Sequence, residues 1–199
     1  GNFSSLDQIA PQITEQGGSS SALESFQQAE QSNKKANYLE VLNLLKQNKL
    51  EEAQNKISAL LKKYPNEPEY YNLQALFETL KKDTTAAQQS YEKAIKLDPK
   101  NILAHLGASK LALDSGQLDK AKEYANKALA INDKVINAYL VLADVAYKQK
   151  DNAEVEKVLL TAQEKVKGNI TAEIEVIKSL GKFYASQKQP EKILSLGED

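Results

Sequence analysis

An all-α solenoid of stacked helix–turn–helix units is the fold predicted by this 199-residue sequence, on three observations. No stretch alternates apolar and polar residues as a half-buried strand would. From Asn33 onward, helical patterns several turns long alternate with short polar turns, which makes successive helices antiparallel neighbours. The third observation is a period of about 34 residues, the mark of a repeat architecture. Pro65 and Pro99 share a slot that continues at Asp133 and Lys167, and Ala53, Ala87, Ala121 and Val155 hold a second slot. Leu60, Ala94, Ala128 and Ala162 hold a third, and Ile57, Tyr91, Ala125 and Leu159 fill an apolar slot between these two. The spacing Ala53-Ile57-Leu60 is i, i+4, i+7, one face of a helix, and such a face is buried.

Residues 1–32 are rich in Ser and Gln and contain Gly17-Gly18-Ser19-Ser20-Ser21, the composition of a flexible or partly helical leader. Within it, Leu6, Ile9 and Ile13 suit one weak amphipathic turn, and Leu23, Phe26 and Ala29 suit a helix running on from Ser21. The repeats then occupy about 33–67, 68–101, 102–135 and 136–169, with a partial unit over 170–199. Asp83-Thr84-Thr85 is an N-cap cluster, Asp98-Pro99 a stop, and Gly116 a left-handed C-terminal cap. Small residues such as Ala87, Ala121 and Ala128 let paired helices approach, while Tyr91, Leu97 and Leu111 fill the gaps. Ala121→Leu is therefore expected to cost roughly 1–3 kcal/mol by overpacking, read as a lowered melting temperature. The chain has no Met, so residue 1 is expected not to be a translation start. Glu191-Lys192-Ile193-Leu194 begins a second helix without a polar capping face, so the array is expected to run past Asp199.

These residues resemble the tetratricopeptide repeat (TPR) family. The likeness is clearest in Tyr70-Tyr71-Asn72-Leu73 with Ala87, Tyr91, Ala94 and Leu97-Asp98-Pro99. Next come Ser109, Gly116, Ala121, Ala128 and Ile131, then Tyr139, Leu142 and Ala143, and finally Leu180, Gly181 and Tyr184. In the second unit two registers stay open: one extra residue before Asp83 aligns Leu73 and Phe77 with the family's first helix, whereas strict counting puts Ala75 in the small slot. The resemblance implies a right-handed superhelix of about 4.5 repeats whose first helices line a concave groove for a peptide or partner helix. With its Ser/Gln-rich leader the chain is also similar to repeat-containing lipoproteins of bacterial envelopes, including those of exopolysaccharide export and C-terminal protein sorting. That implies a periplasmic or membrane-tethered setting rather than a cytoplasmic one.

Composition narrows the chemistry. All 26 basic residues are Lys, there is no Cys, Met or Trp, and there is one His. Disulfides, zinc-thiolate sites, thiol nucleophiles and multi-histidine metal sites are excluded, and no cofactor site is expected. A net charge of -1 without Arg gives no field for nucleic acid, and no apolar run reaches membrane-span length. His105 falls in a first-helix slot that is usually aromatic in the family, beside Ala104, Leu106 and Gly107, and reads as packed rather than catalytic. Glu51-Glu52 and Glu154 with Glu156 suit exposed helix starts, and Lys34-Lys35, Lys62-Lys63 and Lys81-Lys82 suit helix ends, where each sign complements the dipole.

The expected function is a noncatalytic scaffold that binds a protein or peptide. Its candidate groove residues, off the packing face of the first helices, are Tyr38, Asn72, Lys110, Asn137, Asp144, Tyr147, Lys178 and Lys182. Asn and Tyr there suit a peptide backbone and flat apolar area, and Lys suits acidic groups. The Lys and Asn pattern with which some family members clamp chaperone tails is not present. The alternatives are a recruitment module of a larger enzyme and self-association through the terminal repeat, by way of Ile193, Leu194 and Leu196.

Overall fold

The computed structural model describes residues 19–196. Among these the helices are α1 (Ser19–Lys46), α2 (Leu50–Lys63), α3 (Pro68–Leu80), α4 (Thr84–Leu97) and α5 (Ile102–Asp114). They continue with α6 (Leu118–Ile131), α7 (Ile136–Lys148), α8 (Asn152–Lys165), α9 (Ile170–Ser186) and α10 (Pro190–Leu194), and no strand occurs among the described residues. Odd-numbered helices are the first of each pair and even-numbered ones the second. The chain divides between Ser90 and Tyr91 into two compact units. In the first, Tyr38, Val41, Leu42 and Leu45 of α1 join Ala53, Ile57, Leu60, Tyr70, Leu73 and Phe77 in one core. In the second, one cluster centres on Ala121, Ala125, Ala128 and Val141, and another on Leu159, Val176 and Leu180.

The turn inside each pair is built the same way every time. Asn48, Lys82, Gly116 and Lys150, each one period from the next, all have positive φ, from 58° to 76°. The next residue's N–H reaches back to the last turn: Lys49 to Leu44, Asp83 to Glu78, Gln117 to Ala112 and Asp151 to Ala146, at 2.8–3.0 Å. This is the Schellman closure, in which a left-handed residue aims the chain back and satisfies orphan carbonyls. Lys188 repeats the motif late, by one extra helical turn, because α9 has 17 residues where α3, α5 and α7 have 13. Gly116 was legible as a cap; the lysines were not, since a side chain at positive φ costs about 1–2 kcal/mol and runs against preference.

The turn between pairs carries a second recurring device. Tyr71 Oη donates to the Pro65 carbonyl at 2.8 Å, His105 Nε2 to that of Pro99 at 2.8 Å, and Tyr139 Oη to that of Asp133 at 2.6 Å. The three donors are one period apart, as are the positive-φ residues. Strict counting therefore holds through the second unit, and Ala75, fully buried, is its small residue. His105 is a packed side chain that stands in for tyrosine. Its donor role places the proton on Nε2, and its ring lies 6.3 Å from that of Tyr124.

Expected ends appear with their caps. Asp83 Oδ1 accepts from Ala86 N at 3.2 Å, α4 stops at Leu97, and Asn101, Asp151 and Asn169 cap α5, α8 and α9 in the same way. Ala121 has no exposed surface, and its carbonyl accepts from the buried Ser109 Oγ at 2.8 Å, so a larger side chain there has nowhere to go.

Three expectations need correction. Lys34-Lys35 is not at a helix end: α1 runs on past it, and Lys34 pairs with Glu67, which raises its pKa. Glu156 is more than a solvated cap, because Tyr184 Oη donates to it at 3.1 Å and Lys192 lies at 3.3 Å. Burial first, and the Glu156 bond and charge next, push the Tyr184 hydroxyl up to about 12 and keep it a donor. Leu196 is not exposed with Leu194. It is partly buried against the core of α7–α9, with its Cδ1 3.9 Å from where a side chain on Gly181 would begin.

Leu6, Ile9 and Ile13 lie outside the described residues. Leu23, Phe26 and Ala29 belong to α1, which continues unbroken through residues 32 and 33. Residues 21–37 of it are exposed or half-buried, and the helix enters the core only from Tyr38.

Candidate functional site

The eight groove candidates separate once their surroundings are known. Tyr38 and Asn72 are 2% and 3% exposed, and they occupy one repeat slot in successive units. Leu106 and Leu140 continue that slot as half-buried packing residues. It is a packing slot, so neither Tyr38 nor Asn72 presents surface to a ligand. Lys110, Asp144 and Lys178 share a second slot, and all three are exposed. Lys182 continues the slot of Asp114 and Lys148, Tyr147 is 59% exposed, and Asn137 is half-buried.

Three of the eight meet at one cavity of about 450 Å³ among α7, α8 and α9. Asp144, Tyr147 and Lys182 stand at its rim, with Ser179 and Ser186. Leu140, Ala143, Val155, Leu159 and Phe183 make its floor. The floor is apolar because Ala143, Val155, Leu159 and Phe183 belong to the buried core of the second unit, with Leu140 packed against it. Ala143, Val155 and Leu159 were legible in the sequence as repeat positions, whereas Leu140, Phe183 and the cavity itself were not. Neither Asn137 nor Lys178 lines the cavity.

Asp144 is the electrostatic centre. Although the residue as a whole is exposed, desolvation of its carboxyl at the cavity rim raises it above the ordinary carboxylate range, opposed by Lys110, Lys148 and Lys182 and reinforced by Asp114. Lys110 is held on its own helix by Asp114 at 3.0 Å. Along the second unit, one slot thus reads Lys110, Asp144, Lys178 and the other Asp114, Lys148, Lys182, so positive charge gathers toward α9. Among the described residues no ion pair joins Asp144, Lys148, Lys178 or Lys182 to a neighbour. Also among them, no group of three His, Asp or Glu side chains is placed to hold a metal ion, and no helix is long and apolar enough to cross a membrane.

An apolar pocket with a tyrosine and charged groups at its mouth, carried on paired helices of fixed period, is suited to gripping a side chain of another polypeptide. Two tetratricopeptide repeat family models match, one over residues 38–102 and the other over 79–134. This is a tetratricopeptide repeat protein. Its all-α TPR solenoid is shared with solved structures of low identity. A TPR protein of Parabacteroides merdae superposes with a TM-score of 0.62 at 17% identity, over 80% of this chain and 62% of that one. A thermophilic TPR protein of Thermus thermophilus gives 0.63 at 19% identity, over 81% and 90%. Yeast Tom70 gives 0.64 at 20% identity, over 77% and 33%. The TPR chain therefore spans less than two thirds of the Parabacteroides protein and one third of Tom70. No curated protein sequence matches it. The TPR fold supports protein–protein interaction in general.

Proposed function

We propose that this TPR protein is a noncatalytic interaction scaffold whose α7–α9 groove takes a peptide or partner helix by one apolar side chain flanked by acidic groups. The observation that carries the reading is the cavity itself: an apolar floor of Leu140, Leu159 and Phe183 beneath Tyr147 and Lys182. An apolar anchor there is desolvated, and Tyr147 supplies flat area at low entropic cost. Lys148, Lys178 and Lys182 outnumber Asp144, so acidic residues beside the anchor are favoured and basic ones disfavoured. The wider setting, an assembly of a bacterial envelope, is part of this proposal and rests on the sequence resemblance to envelope lipoproteins.

Selection of a random peptide library on the folded protein is the test. Enriched peptides are expected to carry one large apolar residue with Asp or Glu nearby, and to weaken as salt rises. Tyr147→Ala and Lys182→Glu, both at exposed rim positions, are each expected to lower affinity about tenfold with unchanged circular dichroism. No enrichment, or affinities indifferent to both substitutions, would remove the groove from consideration.

A further inference from the structure

Two exposed first-helix slots carry charge in each repeat of the second unit: Lys110 with Asp114 on α5, Asp144 with Lys148 on α7, and Lys178 with Lys182 on α9. The α5 pair is closed, since Lys110 Nζ donates to Asp114 at 3.0 Å. On α9 both members are lysines, so no such closure is possible there. Among the described residues, Asp144 is the one carboxylate lining the cavity, and Lys182 is the other charged residue there. Asp144 thus interrupts a slot that holds Lys one repeat earlier and one repeat later.

Charged groups on three helices face this carboxyl. Lys110 and Asp114 of α5, Lys148 of its own helix and Lys182 of α9 set its field. Tyr147 shares the rim, and α8 brings only Val155 and Leu159 to the cavity. Desolvation at the rim favours the neutral acid against the pull of the three lysines. An acidic group of a peptide placed beside Lys182 adds negative charge to the same field and excludes water from it. Both effects push Asp144 further toward its neutral form. By linkage, a ligand that favours protonation is itself favoured by protonation to the same degree.

We infer that Asp144 is a proton-operated selectivity gate of the α7–α9 groove: as a carboxylate it repels an acidic peptide from Lys148 and Lys182, and as the neutral acid it admits one. The inference rests on the groove being the peptide site, and it adds a regulation to that site. Acidic partners bind more tightly as pH falls through the range in which Asp144 takes up its proton. Because its carboxyl is held above the ordinary range, the gate opens at a pH where an unperturbed aspartate is still charged.

The experiment titrates the full chain with a capped fluorescent peptide carrying one Phe between pairs of cysteic acid, whose sulfonates stay ionised throughout. Affinity is measured from about pH 7.5 down to about pH 4.5, with circular dichroism confirming the fold at each step. The wild type is expected to gain about two- to fivefold in affinity over this range, the scale of one exposed charge interaction. Asp144→Asn, at an exposed position, is expected to bind throughout as tightly as the wild type does at the acid end. Carbon NMR of the Asp144 side chain is expected to show its titration midpoint moving up when the peptide is added. Binding that is lost in Tyr147→Ala but flat with pH overturns the gate and leaves the groove standing. A pH slope that persists unchanged in Asp144→Asn places the proton elsewhere and also overturns it. No binding by the wild type or by Asp144→Asn at any pH overturns both the gate and the groove.

Discussion

Gly107→Ala is expected to destabilise the unit that begins at Tyr91 by about 3 kcal/mol, although alanine is the better helix former by about 1 kcal/mol. Gly107 lies within α5, where a Cβ would sit 2.3 Å from Tyr91 Cζ and 2.6 Å from its hydroxyl. Tyr91 is 4% exposed, so its ring has no solvent to turn into, and the clash must be relieved by separating α4 from α5. The protein itself suggests the rescue. One period later Tyr91's slot holds Ala125, so the tyrosine and the glycine form a complementary pair, one large residue opposite one absent side chain. In a Tyr91→Ala background the cost of Gly107→Ala is expected to vanish or reverse, which makes the double-mutant cycle strongly nonadditive. Urea midpoints of the four proteins measure this; an additive cycle would mean that the two residues do not meet.

Leu180→Ala is expected to cost about 2–5 kcal/mol, the range for removing a fully buried leucine from a core that cannot collapse around the void. Leu180 has no exposed surface and packs in one cluster with Val176 and Phe183 on α9 and with Leu159 on α8. It does not line the cavity, but it seats α9, which brings Phe183 and Lys182 to it. Peptide affinity is therefore expected to fall with stability, whereas Leu160→Ala, at a 42% exposed position on α8, is expected to change either by little. Thermal unfolding and peptide titration of the two variants make the comparison. Equal losses for both would show that α9 is held by something other than this core.

Much of this architecture is readable in the residues alone. The slots of Ala53, Ala87, Ala121 and Val155 are buried as the period requires, and Asp83, Asp98-Pro99 and Gly116 end helices where their chemistry places them. His105 reads correctly as a packed residue, but its bond to the Pro99 carbonyl emerges only by comparison with Tyr71 and Tyr139 in the folded chain.

By itself, then, the sequence determined the helical units, the period at which they repeat and the face each second helix buries, because all three follow from local periodicity. Tertiary structure decided what surface remained. A first helix packs against its own partner and against first helices of adjacent repeats, so its free arc is much narrower than the angle left by a single apolar stripe. Tyr38 and Asn72 fall inside the covered arc, while Asp144, Tyr147 and Lys182 fall in the free one. The same cause places lysines at positive φ at 82, 150 and 188. The closure of each helix pair demands a left-handed residue at that point, and packing of the pair outweighs the preference of the residue that happens to occupy it.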